Sequence, residues 1–158
     1  MGGKTVWTKK LIKHMDTLIT PKIDKVWWCY GAYQEGLSEL LTNPRVELIE
    51  GVPDLEIIKR TPGNKLLILD DLMTELGNST KLNDCYTKLA HHCQLSIITL
   101  LQNLYGCHRT VRVNSTMLVL LKNHRKAQPM SQRHKAITSL EMRYLHLDCL
   151  RLFQSNFN

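Results

Sequence analysis

The sequence has 158 residues, of which 43% are hydrophobic and 22% are charged. This composition is typical of one globular domain with its own core, so we expect a single domain over residues 1–158. No apolar run approaches the roughly 20 residues that a membrane-spanning helix needs. The first residues contain no apolar signal core, and the five cysteines form an odd set, which predicts an intracellular protein with reduced thiols.

The net charge of +7 comes entirely from the C-terminal third of the chain. Residues 1–103 have 12 basic and 12 acidic side chains, whereas residues 104–158 have 9 basic and 2 acidic ones. A density of this kind attracts the phosphates of nucleic acids, although it is also typical of a solvated basic surface without a dedicated ligand. The basic side chains are densest at Lys122, Arg125, Lys126, Arg133 and Lys135.

Two periodic patterns open the chain. Apolar residues recur every three or four positions from Trp7 to Leu18, which predicts an amphipathic helix. Two short β-favouring runs follow at 26–30 and 46–49, each ending near a glycine, with a helical pattern between them. The sequence therefore predicts a β-α-β unit. The three tryptophans are expected in the core, because Trp7 falls in the apolar stripe of the first helix and Trp27 and Trp28 fall in the first strand.

Further apolar runs continue the alternation of strands and helices. The runs 66–69 and 95–101 predict strands buried on both faces of a parallel sheet, with a helix over 82–93 between them. A last strand is expected over 117–121 and a helix over 137–153. This order predicts an α/β fold in which helices cover a mainly parallel sheet.

Polar residues follow the two apolar runs at the points where the strands end. Asp70 and Asp71 follow the first, and Gln102 and Asn103 follow the second. Because ligands bind beyond the carboxyl ends of such strands, we expect these side chains to converge. Asp70 suits a metal ion, Asp71 suits the orientation or deprotonation of an attacking water, and Gln102 suits contact with a terminal phosphate. Asp70 could instead form a turn or cap a helix, and Gln102 could be an exposed amide.

The helix at the start of the chain is preceded by a phosphate-binding pattern. Gly2, Gly3, Lys4 and Thr5 match the second half of the phosphate loop G-x-x-x-x-G-K-[ST]. In that motif, backbone N–H groups surround the phosphates at the N-terminus of the helix. Lys4 would neutralise phosphate charge and the Thr5 hydroxyl would bind Mg²⁺, so the pattern predicts a nucleotide phosphate and Mg²⁺ as ligands.

In their order and content these motifs resemble the FtsK/HerA-like P-loop ATPases that package DNA in viruses and in Maverick/Polinton-type transposable elements. The resemblance covers about residues 2–128. It is carried by Gly3-Lys4-Thr5, residues 28–31, 46–51, 67–73, 91–92, 102–104 and 114–125. It implies a P-loop NTPase of the RecA/ASCE type, with a three-layer sandwich, in the nucleus, the cytoplasm or a virion.

The resemblance also implies ATP as the nucleotide and an ATP-driven motor on double-stranded DNA. Such motors normally work as homo-oligomeric rings in which an arginine from one subunit completes the site of its neighbour. Arg109 and Arg112 are the candidates for that role, and either could equally be a surface arginine or a contact to the phosphate backbone. The basic segment over about 122–158 would meet the DNA.

The sequence departs from the family at its start. The family has a strand and a first phosphate-loop glycine upstream of the position of Gly3, whereas this sequence starts at Met1. We therefore expect the first strand of the sheet to be missing and nucleotide binding to be weak or absent. The predicted function is a DNA-translocating or packaging ATPase domain of weakened activity. The alternative is a non-catalytic nucleic-acid-binding or interaction protein derived from such an ATPase.

Overall fold

The computed structural model describes residues 3–72, 84–102, 109–117, 119 and 121, and its centre is a four-stranded sheet. All strand pairs are parallel, which confirms the predicted α/β class and the parallel sheet. The strands are β1 (Lys25–Tyr30), β2 (Val46–Glu50), β3 (Lys65–Asp70) and β4 (Leu95–Leu100). Their spatial order is β2-β1-β3-β4.

Helices lie on both faces of this sheet. They are α1 (Gly3–Lys13), α2 (Met15–Leu18), a 3₁₀-helix (Leu37–Thr42), α3 (Leu55–Arg60), a π-helical segment (Cys85–Leu89) that continues into α4 (Ala90–His92), and α5 (Arg109–Asn114). One buried cluster contains Ile12 and Leu37, so α1 and the 3₁₀-helix share a face. The other contains Ile58, Leu89 and Val111, so α3, the π-helical segment and α5 share the opposite face. The layers are helix, sheet and helix.

Strand β3 lies between two neighbouring strands and is buried along its whole length. This explains the apolar run 66–69 within it, because a strand covered on both faces has no solvent side. The charged residues at its two ends, Lys65 and Asp70, are buried as well. Alternation still decides which face each side chain enters. Trp27 and Trp28 of β1 are 2% and 0% exposed but belong to opposite clusters, as their adjacent positions require. The expected core packing of these two tryptophans is confirmed.

Polar contacts fix α1 and α2 to the loops that border the sheet. The Arg45 guanidinium donates to both carboxylate oxygens of Asp16, with Nη1–Oδ1 at 2.8 Å and Nη2–Oδ2 at 2.6 Å. The Lys9 ammonium donates to the Gly36 carbonyl at 2.8 Å and to a Glu39 carboxylate oxygen at 2.6 Å. These contacts tie α2 to the residue before β2 and the middle of α1 to the 3₁₀-helix and the glycine before it.

Several elements differ from the expectations. The predicted first helix is divided at His14 into α1 and α2, and the helix expected near residue 40 is a 3₁₀-helix that follows Gly36 in the left-handed region. The short helices α3 and α5 were not predicted, since six residues are too few for a clear period. The strand expected over 117–121 was wrong at its described positions, because Met117, Val119 and Leu121 are exposed and form no strand.

The chain divides into two compact units, Met1–Asn114 and Ser115–Asn158, and all the elements above belong to the first. The single domain over 1–158 stays a prediction. Gly2, Asn103, the basic segment 122–158 and the C-terminal helix lie outside the described residues. Within the part of the chain that the structure describes, no helix has the length and apolarity needed to cross a membrane.

Candidate active site

The carboxyl ends of the four strands lie along one edge of the sheet, because the strands are parallel and their last residues are in register. Asp70 ends β3 and lies between Tyr30 of β1 and Leu100 of β4. The Gly31 amide donates to the Asp70 carbonyl oxygen at 3.2 Å, which closes the turn after β1. The polar side chains that end β3 and follow β4 are therefore at the same edge, as the sequence predicts.

The Asp70 side chain is buried on the face that α1 covers, and only 4% of the residue is exposed. Burial raises the pKa of this carboxyl, and the charge of Asp71 raises it further, whereas the Trp28 indole and the Lys4 ammonium lower it. Trp28 Nε1 and Asp70 Oδ2 have no hydrogen-bond partner among the described residues, although the Trp28 indole is close enough to lower the pKa of Asp70. Buried polar atoms without a partner are rare.

Lys4 lies in the first turn of α1, the helix that packs on the face of the sheet to which Asp70 belongs. Burial raises the pKa of Asp70 most, whereas the Lys4 ammonium lowers it, so Lys4 and Asp70 lie within electrostatic range of each other. Thr5 is buried, with 3% exposed, and Gly3 is exposed. A Cβ added at Gly3 would meet nothing within 4 Å, so the packing of the chain does not require a glycine here.

The second acid and the predicted sensor are in direct contact. Gln102 Nε2 donates to Asp71 Oδ2 at 2.7 Å, which joins the segment after β4 to the segment after β3. Both side chains are exposed, unlike Asp70. Asp71 has a φ of 57°, in the left-handed region where Asp is among the tolerated residues. The two acids therefore have different environments. Asp70 is buried, whereas Asp71 is exposed and accepts a hydrogen bond from the Gln102 amide.

The candidate arginines lie elsewhere. Helix α5 inserts Val111 into the cluster on the face opposite to Asp70. Arg109 and Arg112 are exposed on this helix, and neither forms an ion pair within the described residues. The structure does not bring them beside Lys4 and Asp70 within one chain, so any role in this site would require a neighbouring molecule.

Sequence reasoning missed the involvement of Trp28. The sequence predicts a core position, which is correct, but the strand order β1-β3 also brings its indole nitrogen to Asp70, because the two residues lie on one face of neighbouring strands. The β-favouring run of β1 was visible in the sequence, whereas the identity of its neighbouring strand was not.

The donor set at this edge is small. Within the described part of the chain, no group of three or more His, Cys, Asp or Glu side chains could surround a metal ion. A divalent cation here would take Asp70 and the Thr5 hydroxyl as protein ligands and complete its shell with water and phosphate oxygens, which is the usual state of Mg²⁺.

Comparisons of the chain with family models, with curated proteins and with solved structures found no match. The resemblance to packaging ATPases therefore stays a hypothesis, and the function has to be inferred from the residues themselves.

Proposed function

We propose that this protein is a P-loop ATPase domain that acts on double-stranded DNA. The observation that carries the proposal is the buried Asp70 carboxylate at the carboxyl edge of the sheet, beside the contact of Gln102 with Asp71 and on the face that α1 covers. The first turn of α1 can bind a phosphate through its backbone amides and Lys4, and the buried Asp70 carboxylate can bind a divalent cation. Together they support binding of both ligands.

Magnesium-bound ATP would be held by the residues of this edge. Lys4 and the backbone of the first turn of α1 would bind the phosphates, and Thr5 and Asp70 would bind the metal. The bound Mg²⁺ supplies charge neutralisation at the transferred phosphoryl group. The raised pKa of Asp70 fits this assignment, because a buried carboxylate gains most when a cation replaces its lost hydration.

The other residues have separate tasks. Asp71, exposed beside the site, accepts the proton of the attacking water or orients it. Gln102 donates to one oxygen of Asp71 and keeps that carboxylate directed along the edge. An exposed Arg109 or Arg112 would complete the site of a neighbouring subunit in a ring, as in the family that the sequence resembles.

The proposal of a DNA partner depends on the positive charge of the C-terminal third of the sequence. The excess of basic side chains after residue 104 would bind the duplex through its phosphates, without sequence readout. Affinity for DNA should therefore fall steeply as salt is raised.

The test is Mg²⁺-dependent ATP hydrolysis by the full chain, with and without duplex DNA, compared with Lys4→Ala and Asp71→Asn. We expect low but measurable turnover in the wild type and at least a hundredfold loss in each variant, since removal of one preorganised charge typically costs roughly 10²–10³ in rate. Lys13→Ala is the matched control, because Lys13 is an exposed lysine in the last turn of the same helix. Normal turnover in Lys4→Ala would contradict the proposal. Binding of DNA without binding of Mg²⁺-ATP would favour the non-catalytic alternative.

A further inference from the structure

An aromatic pair lies next to the candidate phosphate site. Tyr30 is the last residue of β1 and is paired with Asp70 of β3, and its side chain packs against the same buried cluster that α1 covers. The alternation of the strands places both side chains on one face, in adjacent positions of the last row of the sheet. Tyr30 and Asp70 are thus register neighbours on one face of the sheet.

A second tyrosine extends this aromatic surface outward. Tyr33 packs edge-on against Tyr30, with ring centroids 5.8 Å apart and an interplanar angle of 70°. Despite this contact, 57% of Tyr33 is exposed. The loop that carries it is fixed at its far end, where Lys9 of α1 donates to the Gly36 carbonyl. An aromatic ring is therefore held in place by its partner and by α1, while most of its surface faces solvent.

We propose that Tyr30 and Tyr33 bind the base of the nucleotide whose phosphates lie at Lys4 and Asp70. The inference rests on the proposed function. The base and the phosphates of a nucleotide are linked through one ribose, so a base-binding surface must border the phosphate site, as Tyr30 does by its pairing with Asp70. Aromatic rings bind bases by stacking, which every base permits. Tyr33 supplies the exposed ring, and Tyr30 positions it.

The chemical class of the substrate follows from this surface. The site would bind nucleoside triphosphates with little preference among bases, because stacking reads no hydrogen-bond pattern. It would bind inorganic tripolyphosphate more weakly, since that ligand has the phosphates without the base.

The experiment compares Mg²⁺-ATP with Mg²⁺-tripolyphosphate as calorimetric ligands of the full chain. In Tyr33→Ala we expect the dissociation constant for ATP to rise about 5- to 100-fold, the range for loss of one stacked aromatic ring. The constant for tripolyphosphate should stay within about twofold, because the phosphate contacts are unchanged. Tyr33→Phe should bind both ligands as the wild type does, since the ring remains. Leu41→Ala is the control, because Leu41 is 55% exposed on the neighbouring 3₁₀-helix.

Each outcome has a separate meaning. Equal weakening of both ligands in Tyr33→Ala would overturn the base-binding role, since a general disturbance of the site would explain it. Unchanged ATP binding in that variant would overturn it as well. If the wild type binds tripolyphosphate as tightly as ATP, the base adds nothing to the affinity and the aromatic pair does not bind it. The phosphate site of the proposed function would still be supported by that result. If the wild type binds neither ligand, the proposed function itself fails.

Discussion

Replacing Asp70 with asparagine should stabilise the folded protein while removing the proposed metal ligand. The carboxylate is 4% exposed, and one of its oxygens has no partner among the described residues. A buried polar group without its hydrogen bond costs about 1–3 kcal/mol. Asparagine fills nearly the same volume and carries no charge, but it remains polar and loses the attraction of Lys4. We therefore expect the free energy of unfolding to rise by about 1–2 kcal/mol at neutral pH.

The pH dependence of this gain in stability shows whether it comes from removal of the buried charge. Because burial raises the pKa of Asp70 above its unfolded value, the folded state binds this proton more tightly. That linkage contributes stability that is fully present below the unfolded pKa and is lost as pH rises through the folded pKa. The advantage of Asp70→Asn should accordingly be largest at neutral pH and should shrink toward zero as pH falls to about 4, near the ordinary pKa of aspartate.

The assay is urea unfolding of the wild type and Asp70→Asn between pH 4 and pH 8, with thermal unfolding as a second probe. A gain of 1–2 kcal/mol corresponds to a melting temperature about 2–8 °C higher for a chain of this size. Asp71→Asn is the control, because Asp71 is exposed, and its change should stay within about 0.5 kcal/mol. An Asp70→Asn protein that is less stable than the wild type by the same amount at every pH would refute this reasoning.

Other predictions concern single contacts. Gly63 has a φ of 81° and an added Cβ would overlap the Asp24 carboxylate, so Gly63→Ala should lower the free energy of unfolding by about 2 kcal/mol in urea titrations. Gly3→Ala should instead leave stability unchanged or raise it by up to about 1 kcal/mol, because its Cβ would meet open space; a loss of stability would contradict the described packing. Arg45 lowers the pKa of Asp16, so this pair stabilises the fold above the ordinary aspartate pKa and the contribution is lost as pH falls through the lowered folded value. Arg45→Gln should therefore destabilise the protein at pH 7, with a smaller effect in acid, and an effect that does not depend on pH would count against the ion pair.

The strands were predictable because each corresponds to a short apolar or β-favouring run in the sequence. A strand covered on both faces is apolar in its middle, as β3 is between Lys65 and Asp70. The expectation that β4 is also buried on both faces was wrong, because β4 is an edge strand of the described sheet and is mostly half-buried. The parallel arrangement follows from the helical segments between the strands, and it brings the strand ends to one edge. The position of Asp70, Asp71 and Gln102 at one edge could be expected on these grounds alone.

What could not be predicted depends on which strands are neighbours and on which face each helix packs. The place of β1 beside β3 brings Trp28 and Tyr30 to Asp70, and no local pattern encodes that order. The contact of Gln102 with Asp71 depends on two turns whose geometry is set by a left-handed backbone at Asp71. Likewise, the sequence gives no indication that α5 packs on the face opposite to Asp70, which separates Arg109 from the site.

We propose that a divalent cation binds at Asp70 when the nucleotide is present. Trp27 and Trp28 provide an internal comparison, because their indoles lie on opposite faces of β1 and Trp27 Nε1 donates to Glu47 at 3.2 Å, whereas Trp28 Nε1 lies near Asp70. In spectra of the ¹⁵N-labelled chain, paramagnetic Mn²⁺ added with ATP should broaden the indole N–H signal of Trp28 far more than that of Trp27. Asp70→Asn should abolish the difference. Equal broadening of both signals, or no broadening with Mn²⁺-ATP, would contradict the account.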